Sequence, residues 1–344
     1  MKKIFFFLLL SGLFFAQKTE VIDLSKSIKD SKNTYNSFRV IDQRPNKEIG
    51  SILFHKNQVN IVFENNPSKD ISDWFYKYNK AKGNDKLVLL LENISISEDI
   101  KEKYSIGKLE LRASTFKKKN DGYHFVNRID TIATISSRNT PYLAQSLAKK
   151  ITLSLADLLK DSYNKTTWEF GISENDLASY NSILMDKLDI LKSDTLKEGV
   201  YKDSYSFFTH NPEPGYTIET NSKGIATKAV KSDDKKPIRN FYAFVHNGVP
   251  FKVIPVGYVE IFRDEMRLFI EVKKEELFPE PNNSSMVVLG GGIGGLIGSI
   301  VANVAIVAID ASAAKKRNAM AGTEVSLDPL TGYYILPENF GKSK

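Results

Sequence analysis

Between Met286 and Ile309 the 344-residue chain runs for 24 residues without a charge, as MVVLGGGIGGLIGSIVANVAIVAI. Such a run must leave water, either into a bilayer or into a protein interior, and as a helix it is long enough to cross a membrane. Only Ser299 and Asn303 are appreciably polar. Ile300, Val301, Val304, Ile306, Val307 and Ile309 point in every direction around a helix, the pattern of a segment enclosed by protein or lipid. Gly290, Gly294, Gly298 and Ala302 recur every four residues, as do Gly291, Gly295 and Ser299. Small residues at that spacing let helix backbones approach closely inside a membrane. Lys315-Lys316-Arg317 follow, as a cytoplasmic stop-transfer cluster would. The spacing predicts a glycine-zipper hydrophobic helix over 286–310, with a membrane as its partner and homo-oligomerisation through the small-residue face. The alternative is a soluble structural protein with this helix packed internally.

The same stretch contains Gly290-x-Gly292-x-x-Gly295, the spacing that admits a dinucleotide pyrophosphate to a helix N-terminus. That chemistry needs a following βαβ unit, and only 49 residues remain after Gly295. They end in Val325-Ser326-Leu327-Asp328-Pro329-Leu330-Thr331-Gly332-Tyr333-Tyr334-Ile335-Leu336, which reads as strand, turn, strand. The glycine match is therefore read as a decoy, and no cofactor is expected. The tail also bears on the membrane reading. If it pairs with the sheet formed by residues 197–278, a single crossing between them is impossible.

At the other end, Lys2 and Lys3 precede an apolar run from Ile4 to Phe15, and Ala16 offers a small residue at a cleavage point. This reads as a signal peptide over 1–16 and places the protein in the periplasm or cell envelope. There are no cysteines, which excludes zinc-thiolate sites and cysteine nucleophiles. Removing Lys2 and Lys3 takes 48 basic residues to 46 against 41 acidic ones, a mild +5 with the basic residues scattered, so no nucleic-acid partner is expected.

Between the two apolar ends the pattern is α+β. Residues 17–165 read as an α+β domain. Val59, Ile61 and Phe63 alternate as in a half-buried strand, and Pro67 opens a helix whose face is Ile71, Trp74, Phe75 and Tyr78. Leu87-Val88-Leu89-Leu90-Leu91 suits a strand covered on both faces. Asp121-Gly122 turns the chain into a long strand from Tyr123 to Ile135. Thr140 with Pro141 is expected to cap a helix with the stripe Leu143, Leu147, Ile151, Leu155 and Leu158. Residues 166–196 read as a helical connector, with Ser173 and Asp176 as a capping box and Leu177, Tyr180, Leu184, Leu188 and Leu191 as its stripe. Residues 197–285 read as a β-rich domain with an Asn247-Gly248 hairpin and a second hairpin across Arg263-Asp264-Glu265. Residues 311–344 are the tail.

Catalytic signals are sparse. His55, His124, His210 and His246 lie far apart, and none has a second histidine or carboxylate at metal-ligand spacing. No catalytic or metal residue is assigned. Asp130-Thr131-Ile132 and Asp194-Thr195-Leu196 resemble the acceptor pattern for periplasmic O-glycosylation in Bacteroidetes, making Thr195 and Thr131 candidate modification sites.

Two resemblances follow from named stretches. Gly199-Val200-Tyr201-Lys202-Asp203-Ser204-Tyr205-Ser206-Phe207, Phe241-Tyr242-Ala243-Phe244-Val245-His246-Asn247-Gly248, the glycine segment and Leu327-Asp328-Pro329-Leu330-Thr331-Gly332 together resemble uncharacterised envelope proteins of Bacteroidetes. That group supplies no catalytic residues. Val40-Ile41-Asp42-Gln43-Arg44-Pro45 with Ile49-Gly50, and a closing Leu158-Leu159-Lys160-Asp161, are similar to the YajG lipoprotein family, whose lipidated cysteine has no counterpart here. The expectation is an exported, non-catalytic binding or assembly module tethered to a membrane. The rival reading is a periplasmic hydrolase with a carboxylate site.

Overall fold

Leu87 to Leu91 lie in the second strand of a five-stranded sheet whose two faces are both covered, and their side chains divide between two cores. Leu87, Leu89 and Leu91 enter one, Val88 and Leu90 the other, as the two-residue period of a strand requires. The computed structural model describes residues 18–54, 57–222, 224, 226–238, 240–264, 267–279, 296–297, 322–337 and 340–341.

The first region contains β1 (Lys18–Val21), β2 (Tyr35–Asp42), β3 (Ser51–Phe54), β4 (Asn57–Val62), α1 (Pro67–Tyr78), β5 (Asp85–Ile100), β6 (Ser105–Lys119), β7 (Gly122–Ser136) and α2 (Leu143–Ser162). After it come β8 (Gly171–Ile172), α3 (Tyr180–Met185), α4 (Asp189–Lys192), β9 (Gly199–Tyr201), α5 (Ser204–Phe208), β10 (Tyr216–Thr220), β11 (Ala226–Lys231), β12 (Pro237–Ile238), β13 (Ala243–His246), β14 (Val249–Ile254), β15 (Gly257–Arg263), β16 (Leu268–Val272), α6 (Lys274–Leu277), β17 (Leu296–Ile297), β18 (Thr323–Leu327) and β19 (Tyr334–Ile335). The class is α+β.

The central sheet has the order β2-β5-β6-β7-β8, with β2 parallel to β5 and the other pairs antiparallel. On its first face lie α1, α2 and a small sheet of order β1-β4-β3. Helix α1 begins where Asn66 caps it, its Oδ1 accepting from Lys69 N at 2.9 Å, and Pro67 costs nothing in the first turn because its missing N–H would be unpaired there. The ring of Phe75 stacks on Phe38 of β2 at 4.4 Å. Helix α2 buries the expected stripe, but its cap is misplaced by sequence: Tyr142, not Thr140, holds the N-cap, with no side-chain bond there. Thr140 instead closes a turn off β7, its N–H donating to Ser136 O.

The second face receives the connector and the eight-stranded sheet, of order β17-β19-β18-β16-β15-β14-β13-β9. Phe116 and Phe125 of the central sheet meet Tyr180 and Trp168 in edge-on and stacked contacts. One core thus joins the first region to the second. The helix expected through the connector is broken into a 3-10 turn at Leu177–Ser179, α3 and α4. A continuous helix would place Leu188 and Ile190 about 200° apart; the break between them lets both enter the same core. Ser173 Oγ donates to the Asp176 carboxylate at 2.7 Å rather than to a helix N–H, so the expected capping box is a side-chain pair.

The Asn247-Gly248 turn forms as predicted. His246 faces Val249 across a two-residue loop, with φ of 53° and 76° at the two turn residues. A third, smaller core around Phe244, Tyr258 and Ala226 lies between this sheet and the β10-β11-β12 sheet. The tail joins the second sheet: β18 pairs antiparallel with β16, from Leu268↔Leu327 to Val272↔Thr323.

The residues Gly290, Gly291, Gly294, Gly295, Gly298 and Ala302 lie outside the described residues. So does the helix expected over 286–310, apart from Leu296 and Ile297, and so does the segment 1–16. Leu296 and Ile297 are extended rather than helical, pairing with Ile335 and Tyr334. Among the described residues no helix is long and apolar enough to cross a membrane.

Candidate functional site

Strand β2 ends at Asp42, and the chain then leaves the sheet through Gln43, whose N–H donates to Leu91 O at 2.9 Å. Beyond the carboxyl ends of β2 and β4 lies a half-open cleft of about 720 Å³, within the range of small-ligand sites. Its walls come from Asp42, Arg44 and Lys47 on one side and Ser51, Gln58 and Asn60 on the other. Ile49, Ile61, Val62 and Phe63 supply apolar surface, and Asn65, Asn66 and Pro67 close the end at α1.

Arg44 is the charged group that the fold encloses here. Its side chain is 2% exposed. Nε and Nη2 donate to the two oxygens of Asp42 at 2.9 and 3.0 Å, a bidentate pair, while Nη1 has no hydrogen-bond partner. Lys47 Nζ reaches Asp42 Oδ1 at 3.3 Å and Asp42 O at 3.0 Å from an exposed position. Burial raises the Asp42 carboxyl, but the Arg44 hydrogen bonds and the charges of Arg44 and Lys47 outweigh it and hold the group below the usual carboxylate range. Asp42 therefore stays ionised at neutral pH and is a poor proton donor.

Gly50 explains why Ile49-Gly50 follows this pair. The segment lies against β5, with Ile96 N donating to Ile49 O at 2.6 Å, and Ile61 N donates to Gly50 O at 3.0 Å. Gly50 has φ +122°, and a Cβ there would collide with the Ile96 carbonyl. Gly50→Ala is expected to lower stability by about 2 kcal/mol or more. Urea denaturation checks this, and a loss under about 0.5 kcal/mol would show that the segment can shift away from β5.

A second cluster ties the tail to the first region. Asp328 is 1% exposed at its side chain and receives Nε of Arg128 at 3.0 Å together with Nη2. Its Oδ1 accepts from Leu330 N, Thr331 N and Thr331 Oγ1 at 3.1, 2.8 and 2.7 Å. Arg128 Nη1 also donates to Asn181 Oδ1, Asn127 donates to Tyr333 Oη, and Lys165 Nζ lies 3.9 Å from the centre of the Tyr333 ring. Leu327 to Gly332, quoted above for its resemblance, is thus an aspartate-centred turn docked on β7.

A third feature is Lys252 on β14, 6% exposed, with Nζ donating to Tyr242 O and Val253 O at 3.2 and 2.8 Å and lying 4.0 Å from the centre of the Tyr242 ring. Burial pushes its amine down to about 7. Elsewhere, burial raises the carboxyl of Glu92, which accepts from Ser114 Oγ at 2.7 Å. Glu92 is not among the residues lining the cleft.

The histidines stay apart. His124 is enclosed between Trp168 O and Asp121, His210 accepts from Lys197 N, and His246 stands beside Asn247; His55 lies outside the described residues. Among the described residues no three His, Cys, Asp or Glu side chains are grouped as a metal site. Thr195 is exposed between α4 and β9, whereas Thr131 is buried in β7. Sequence reading singled out Asp42 and Arg44 only as part of a resemblance and missed Lys252 and the Arg128–Asp328 pair. An aspartate two residues before an arginine at a strand end was the available signal for the first. Comparison with protein-family models, curated proteins and solved structures finds no match to this chain.

Proposed function

We propose that the protein is an exported, non-catalytic binding or assembly module of the cell envelope, tethered by its glycine-rich apolar stretch. The observation that carries the form of this tether is the pairing of β16 with β18. Val272 and Thr323 are neighbours across that pair, so the chain leaves and re-enters the same sheet at one place. This pairing supports a tether whose flanking strands, β16 and β18, stand on the same side of the membrane, over a single crossing between them. Of the two carboxylates lining the cleft, Asp42 is committed to Arg44 and Lys47 and held ionised, so it is no proton donor for a hydrolytic step, which supports the binding reading.

One observation favours the rival reading of an internally packed glycine segment: Leu296–Ile297 extends the sheet beside β19. Carbonate extraction separates the two. The full chain is expected in the membrane pellet, and a variant lacking 286–309 is expected in the supernatant, still folded because the residues left can join neighbouring strand ends. Extraction of the full chain ends the tether reading. Since the chain has no cysteine, Glu48→Cys and Thr323→Cys can be labelled singly with an impermeant maleimide. Both positions are exposed and are expected to label from the same side. Labelling from opposite sides would restore the single crossing.

A further inference from the structure

The turns before β2, before β5 and between β6 and β7 hold a disproportionate share of the charge. Residues 29–34, 79–86 and 117–122 contain eight lysines and three aspartates. Without Lys2 and Lys3 the chain has 46 basic residues against 41 acidic ones, so its whole excess sits in these turns and the rest is balanced. The fold gathers them at one end of the central sheet. Asp30 N donates to Asn79 Oδ1 at 2.6 Å and Asp85 N to Thr34 O at 3.3 Å, while a Cβ on Gly83 would strike the Thr34 carbonyl. Lys117 pairs with Asp85, and Lys86 stands directly opposite Lys118 on the neighbouring strand.

The carboxylates here are all committed. Buried Asp30 accepts from Lys32 N and Thr34 N at 2.9 and 2.6 Å, Asp85 holds Lys117, and Asp121 meets His124 Nε2 at 2.9 Å. Beside them, Glu174 is taken by Arg39 and Tyr123, and Lys118 Nζ lies 4.0 Å from the centre of the Tyr123 ring. Lys29, Lys32, Lys80, Lys82, Lys86 and Lys119 are exposed, and among the described residues none of the six forms an ion pair. Like charges directly opposite across two strands destabilise a sheet, so the Lys86–Lys118 pair is a cost that an anionic counter-surface offsets.

We infer that this lysine-rich end docks on the anionic headgroups of a phospholipid bilayer. The inference rests on the tether reading for the presence of a membrane and adds the class of lipid that the first region meets. Three observations choose a bilayer among anionic partners. The lysines belong to three separate turns at one end of the sheet, while the cleft lies at the opposite end of β2, beyond Asp42. A linear polyanion is held along a groove, whereas a planar surface engages many protruding side chains at once. The three turns contain no aromatic residue on which a base would stack, which argues against nucleic acid. Their one apolar side chain is Ala81, so the contact is electrostatic and superficial, sensitive to lipid charge and to salt. Confinement near the membrane by the tether raises the effective concentration of headgroups, so individually weak lysine contacts suffice.

The test uses the full chain with vesicles of phosphatidylcholine alone or with about 30% phosphatidylglycerol. The absence of cysteine allows a fluorophore at Ala81→Cys, within the lysine turns, or at Ile100→Cys, at the far end of β5 and roughly 50 Å away. Energy transfer to a headgroup-labelled lipid reads how near each end lies to the bilayer. Phosphatidylglycerol is expected to raise transfer from position 81 and not from position 100, and about 0.5 M NaCl to remove the rise. Changing Lys80, Lys82, Lys86 and Lys119 together to Gln is expected to reduce the rise at least about tenfold. These side chains are exposed, so the variant keeps its fold. Equal transfer in both vesicles overturns the electrostatic contact. A rise at both positions, or one retained by the Gln variant, overturns its assignment to this end. Release by dextran sulfate or an oligodeoxynucleotide, at a charge concentration below that of the lipid, overturns the choice of a bilayer. Flotation with pure phosphatidylcholine at high salt reads the tether separately. A chain that floats there without the rise keeps its tether and loses this contact; one that floats only with phosphatidylglycerol at low salt does the reverse.

Discussion

Asp328→Ala is expected to lower the stability of the protein by about 3–5 kcal/mol, the cost of breaking a buried ion pair from one side. Two effects combine. Arg128 loses its carboxylate and is left with the neutral partners Asn181 and Tyr180. The turn after β18 loses the oxygen that gathers Leu330 N, Thr331 N and Thr331 Oγ1. Asp328→Asn retains a carbonyl acceptor for the turn and is expected to cost less. Adding Arg128→Met to Asp328→Ala is expected to recover part of the loss, because the stranded charge is removed with its partner. Urea unfolding followed by the fluorescence of Trp168, which is buried in the core shared by both regions, reads all three variants. A loss below about 1 kcal/mol for Asp328→Ala would show that the β16–β18 pairing holds the tail without this contact.

The second large effect depends on pH. The Lys252 amine titrates near 7 in the folded chain and near its ordinary value, about 10.5, in the unfolded chain. Between those values the unfolded chain binds more protons, so stability rises with pH. The contribution is complete above the unfolded value and is lost as pH falls through the folded one. Between pH 6 and pH 9.5 this single group is expected to add about 3 kcal/mol. Lys252→Met fills the same space without a proton to bury, though it leaves Tyr242 O and Val253 O without the ammonium. At pH 6 the variant is expected to be more stable than the parent by about 1–4 kcal/mol. By pH 9.5 that advantage is expected to disappear. Urea midpoints of both proteins at the two pH values check the prediction, and parallel pH dependences would show that Lys252 stays charged in the fold.

Local patterns carried much of the architecture. The Leu87–Leu91 run, the Asn247-Gly248 turn and the α2 stripe each follow from a period or a turn chemistry confined to a few residues, and each stands where it was expected. What sequence missed depends on partners far along the chain. Lys252 sits among Phe251 and Val253, and a two-residue period alone would turn it toward water. The sheet is instead covered on both sides: Phe251 and Val253 pack toward the smallest core, and Lys252 is enclosed beside Tyr242 and Tyr334. The Arg128–Asp328 pair joins residues 200 positions apart, and no spacing rule reaches that far. The cleft fails to announce itself for the same reason, since Asp42, Asn60 and Pro67 meet only after β2, β4 and α1 are assembled.

The position of β18 has a consequence in time. It is the last long strand to be synthesised, yet it fills an interior place in the sheet, between β16 and β19. Until residues 323–327 have emerged, β16 remains an open edge with unpaired backbone groups, and the chain following it contains the longest uncharged stretch of the sequence. A half-made molecule therefore offers an aggregation-prone border beside a long apolar segment. A chain ending between β16 and β18 lacks the strand that fills this interior place, and is expected to be less soluble than the full chain.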